Sequence, residues 1–173
     1  LMANHAAPLG IVDAVISYNL RVTPAERFDG VHLDIEPYVL LSWRFPRSRE
    51  QLLRELIDLA THCQTHVRDV PGMVFGMDIP YWWGSIDDRT GRPIGDTLFG
   101  GTRKAASEHL IDRLDNVGIM NYRNTAAGTD GMISNGTPVL TYADRARHAK
   151  ISMAVETSLS DPDVVSHLHQ IVQ

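Results

Sequence analysis

An internal disulfide is closed to this chain, because it carries a single cysteine, Cys63. That residue falls on the stripe Leu52, Leu56, Leu59, Cys63, Val67, spaced like one face of a helix. Buried packing is its expected role. The lack of bridges leans toward a reducing compartment, yet an extracellular or cell-envelope setting also fits, since many secreted bacterial enzymes have none. A basic run is missing too. The formal net charge is −5, with no Lys/Arg stripe of the kind a phosphate backbone requires. Nucleic acid is therefore not the expected partner. No apolar run reaches the length of a membrane-spanning helix, so no insertion is expected. No Gly-rich phosphate fingerprint follows a predicted strand, and there is no tandem repeat or low-complexity segment. Signals at the ends are also lacking. The chain opens Leu1-Met2-Ala3 and enters a helical pattern at once; it closes at His169-Gln170-Ile171-Val172-Gln173 inside another. The expectation is one partial domain over residues 1–173, cut at both ends.

What is present alternates. Helical patterns are predicted over 8–20, 48–67 and 102–114, from a Thr137 cap with Pro138 at the first position, and from Asp161-Pro162 onward. Ser48 and Gln51 suggest a capping box. Strands are predicted over 29–36, 73–78, 117–122 and 151–157, and a long Gly-rich loop over 81–101. Strands alternating with helices imply a parallel sheet, either doubly wound or a (β/α)8 barrel.

Side-chain parity favours the barrel. His32, Asp34 and Glu36 share one face of the first strand; Val31, Leu33 and Ile35 share the other. Gly76 and Asp78, then Met120 and Tyr122, then Ser152, Ala154 and Glu156 repeat the pattern. Each strand thus has an oily face for helices. The opposite face is small or polar and ends in an acid or a tyrosine, as at the mouth of a barrel. The expected fold class is α/β, part of a (β/α)8 TIM barrel with about four parallel strands and flanking helices.

Asp34 and Glu36 stand two residues apart, about 6.5 Å along an extended chain. Two carboxyl groups that close push their pKa values apart, so that one serves as acid while the other stays charged. Glycosidic cleavage needs that division of labour. Asp78 and Glu156 add acids at two further strand ends. Tyr81-Trp82-Trp83-Gly84, in the long loop, offers aromatic faces that stack on sugar rings; Tyr38 and Trp43 are weaker candidates for the same role.

Asp29-Gly30-Val31-His32-Leu33-Asp34-Ile35-Glu36 resembles the DGxDxDxE signature of family-18, chitinase-type glycoside hydrolases. Met120-Asn121-Tyr122-Arg123 is similar to their MxYD motif two strands later. The resemblance spans roughly residues 28–157. It implies Glu36 as the acid that protonates the leaving oxygen. Asp34 would orient the substrate's 2-acetamido group, Tyr122 would hydrogen-bond that group, and Met120 would line the pocket floor. The substrate would be a carbohydrate and no cofactor is implied. Two positions depart from the family: His32 replaces the middle Asp, and Arg123 replaces the final one. His32 is expected either to bond Asp34 and tune it or to be a buried core histidine. Asp78 and Glu156 would bind sugar hydroxyls, supply a nucleophile, or pair with Arg123. Two other readings stay open. One is a metal-dependent hydrolase using His32, Asp34, Glu36, Asp78 and Glu156. The other is a non-catalytic sugar-binding barrel.

Overall fold

The structure is a computed structural model that describes residues 5–123 and 125–155. Glu156 and the helix expected from Asp161 lie outside the described residues. Four parallel strands form the main sheet: β1 (Gly30–Leu33), β2 (Val74–Pro80), β7 (Asn116–Met120) and β8 (Lys150–Ala154), in the order β1-β2-β7-β8. The helices are α1 (Ala6–Asn19), α2 (Pro46–Arg68), α3 (Ala106–Ile111) and α4 (Met132–Ala146). Two small hairpins, β3 (Ile86–Asp87) with β4 (Arg92–Pro93) and β5 (Asp96–Phe99) with β6 (Thr102–Ala105), fill the connection after β2.

The oily strand face holds the fold together. Leu33, Phe75, Met77, Ile79, Val117 and Ile119 are buried in one cluster with α2 residues Leu53, Leu56, Ile57 and Cys63. Val12 of α1, Leu110 of α3 and Val139 of α4 join the same cluster. Burial pushes the Cys63 thiol up to about 11, as suits a packing residue rather than a nucleophile. Among the described residues, no helix is long and apolar enough to cross a membrane.

Several boundaries differ from the sequence expectation. The first strand ends at Leu33, so Asp34 and Glu36 lie just past it rather than within it. Helix α2 starts at Pro46, two residues before Ser48, because proline at the first position needs no backbone donor. Gln51 then donates to Glu55 at 2.9 Å instead of closing a capping box. Residues 102–105 form strand β6, not a helix. Gly100 and Gly101, with φ of 56° and 79°, make the two-residue turn that joins it to β5. Helix α4 starts at Met132, so Pro138 sits inside it and Thr137 is no cap. The Thr137 hydroxyl donates to the Ile133 carbonyl at 2.6 Å within the helix.

Gly30 has a reason rooted in the sheet. A Cβ there would stand 2.1 Å from the Val74 carbonyl oxygen, an atom of backbone that cannot swing aside. Gly30→Ala is predicted to lower unfolding free energy by about 1–3 kcal/mol. Urea titration followed by circular dichroism measures it, and a loss below about 0.5 kcal/mol would show that β1 and β2 can separate freely.

Candidate functional site

The site is built on the strand face that the helices leave uncovered. Register places His32 beside Gly76, and Asp78 beside Gly118. Both glycines make room. A Cβ at Gly76 would lie 2.7 Å from the His32 Nδ1, and one at Gly118 would lie 2.0 Å from the Asp78 Oδ1. In that space His32 Nε2 approaches Asp78 Oδ1 to 3.0 Å. His32 is therefore not a buried core histidine; it pairs with Asp78 and acts on Asp34 through charge. Its side chain is 45% exposed and pairs across strands with Asp78.

Past the end of β1 the chain turns at once. Pro37 opens a short 3₁₀ turn, Pro37–Val39, with Glu36 immediately before it. The turn carries Tyr38 back toward Glu36, and its hydroxyl donates to the Glu36 carboxylate. Desolvation, then the neighbouring Glu36 carboxylate, pushes the Tyr38 phenol well above its ordinary value. Tyr38 thus stays a neutral donor at any working pH. The Asp34 carboxyl is also pushed upward, by desolvation first, then by repulsion from Glu36 and Asp78, with His32 opposing. Three carboxyl groups and one imidazole therefore sense one another here.

An aromatic wall flanks these groups. Tyr38 meets Trp82 edge to face at 5.2 Å, and Trp43 meets Trp82 at 6.1 Å. Trp43 stacks at 6.3 Å on Trp83. The two loop tryptophans have different positions. Trp83 is fully buried and supports the wall from behind, so its ring is closed to a substrate. Trp82 and Tyr38 remain partly exposed.

The second motif is split in the same way. Met120 is buried at the end of β7, while Tyr122 lies beyond the strand and is half exposed. Asn121 between them is fully buried, and its amide donates to the Met132 carbonyl at 2.9 Å. Arg123 does not pair with Asp78. Its guanidinium donates to Asp130 at 2.9 Å and to the Tyr81 hydroxyl, and lies 4.9 Å from the Tyr81 ring centre. The Asp130 contact holds its pKa above the ordinary arginine range. Asp130 and Tyr81 were not legible as partners of Arg123, because no spacing rule links those two loops.

No family model, curated protein or solved structure matches this chain.

Asp34 provides a test of the electrostatics. Its raised pKa means that the folded chain binds the Asp34 proton more tightly than the unfolded chain. That contribution to stability is complete below the unfolded value, about 3.9, and is lost as pH rises through the folded value. Above that window the ionised group costs stability that asparagine would not. Asp34→Asn is predicted to equal or exceed wild type at pH 7, by at most about 1 kcal/mol after solvent screening. Paired urea titrations at pH 4 and pH 7 measure this. A variant clearly weaker at pH 7 would mean that Asp34 holds a structural partner.

Proposed function

We propose that this chain is part of a (β/α)8 barrel of glycoside-hydrolase type, cleaving a polysaccharide or glycan, N-acetylated in the closest fit to its motifs. One observation carries the reading. Asp34 and Glu36 stand together at the C-terminal end of β1, beside an aromatic wall. Strand order supports the barrel: β1-β2-β7-β8 follows the chain with no reversal, whereas a doubly wound sheet reverses at its switch point.

In this mechanism Glu36 protonates the leaving glycosidic oxygen. Tyr38 fixes its rotamer. Asp34 sits one alternate position back along the chain, where it orients the 2-acetamido group and stabilises the charge that develops as that group attacks. Tyr122 reaches the same group from the end of β7, and Met120 forms the pocket floor. Trp82 stacks on a sugar ring, while the His32–Asp78 pair and Arg123 face sugar hydroxyls. Glu156 is assigned to substrate from the sequence alone.

Glu36→Gln keeps size and hydrogen bonding but removes the proton. It should cut turnover of an aryl-glycoside and glycan panel by roughly 10²–10⁴. Substrates lacking the acetamido group should be cleaved poorly by wild type. Unchanged turnover in Glu36→Gln would overturn the assignment of the acid. Binding of glycans with no cleavage by wild type would favour a sugar-binding barrel.

A further inference from the structure

The helical layer carries a group of side chains that the glycosidase reading does not use. Asp58 and His62 stand one turn apart on α2, and His5 lies just before the first residue of α1. One ligand atom from each lies within 4.8 Å of the others. His5 Nδ1 is 3.9 Å, and His62 Nδ1 3.6 Å, from the Asp58 Oδ2. All three side chains reach solvent, His5 being the most covered at 22%.

We propose that His5, Asp58 and His62 form a binding site for a divalent transition-metal ion of the zinc class. Two imidazoles and a carboxylate are a donor set that zinc accepts, with water completing the shell. The His62 tautomer suits the role. Its Nδ1 lies 2.8 Å from the Asp58 carbonyl oxygen, which can only accept, so Nδ1 carries the hydrogen and Nε2, rather than the Nδ1 that faces the Asp58 carboxylate, is the ligand atom. Around a tetrahedral ion the donor atoms would stand roughly 3.4 Å apart. Closing from 4.8 Å requires these partly exposed side chains to shift, His5 and the Asp58 carboxylate toward the His62 Nε2. The ion would bridge α1 to α2, a contact otherwise made by packing around Val12 and by the His66–Asp13 pair at 2.9 Å, one turn further along.

The test uses protein purified without a histidine tag, stripped with chelator, and titrated with Zn²⁺ alone by calorimetry. Co²⁺ absorption reports the coordination. The expected result is one ion per chain and a rise in unfolding temperature on binding. His5→Ala and His62→Ala should each weaken binding by roughly tenfold or more. His66→Ala, outside the group, and His32→Ala, on the uncovered strand face, should bind as wild type does. Because the replaced side chains are at the surface, circular dichroism should match wild type. Non-stoichiometric binding, or binding that survives both His5→Ala and His62→Ala, would overturn the proposal. Loss in His32→Ala alone would overturn it too, by moving the ion to the candidate active site.

Discussion

The close approach of strands at Gly76 and Gly118 is the constraint on which the site depends. Parallel strands lie near 4.8 Å apart, so facing side chains on one sheet face compete for the same space. Here two of those positions carry no side chain, and His32 and Asp78 occupy the room left above them. The pair spans β1 and β2 and leans over β7. It therefore links β1 to β2 on the face that no helix covers, with Gly118 of β7 leaving room beneath it. The opposite face needs no such device, since Phe75, Met77, Val117 and Ile119 pack there against helices by ordinary apolar burial.

From that base the site is assembled by turns rather than by strands. Strand β1 stops at Leu33, and the chain reaches Pro37 within four residues. Proline removes a backbone donor and forces the 3₁₀ turn, which brings Tyr38 onto Glu36. Tyr38 then contacts Trp82, which arrives from the turn after β2. Two loops after neighbouring parallel strands meet at one end of the sheet, as parallel topology requires. Buried Trp83 anchors the second loop and leaves Trp82 presented.

Much of this was legible in the sequence, and the rest was hidden for definable reasons. Strand parity placed Leu33, Phe75, Met77 and Ile119 on the oily face, and the structure buries all four, because period-two burial is a local property. The long α2 stripe through Cys63 was legible on the same grounds. Helix starts were less so, since Ser48 and Thr137 are cap-type residues that the structure places inside helices. Pro46 was the stronger signal for α2, and no local rule places Pro138 in the interior of α4. The Gly100-Gly101 pair was a readable hairpin turn, obscured by the helix formers that follow it. Among site residues, Asp34, Glu36, Tyr38 and Trp82 do gather. The partner of His32 was not readable, because Asp78 lies 46 positions away and only register brings it near. Nor was the burial of Trp83, which depends on Trp43 from another loop.

The histidine at position 32 bears on how the candidate site holds its charge. Asp34 already feels repulsion from Glu36 and Asp78. An acid at position 32 would add a fourth carboxyl group to the same two strands, directly against Asp78. That added charge would push the Asp34 carboxyl further upward. Histidine avoids that addition. Its imidazole lies against Asp78 and lowers the Asp34 pKa rather than raising it. Repulsion on Asp34 is then dominated by Glu36, its neighbour two residues on. A histidine at this position thus offsets part of the charge around Asp34, where a fourth carboxylate would add to it.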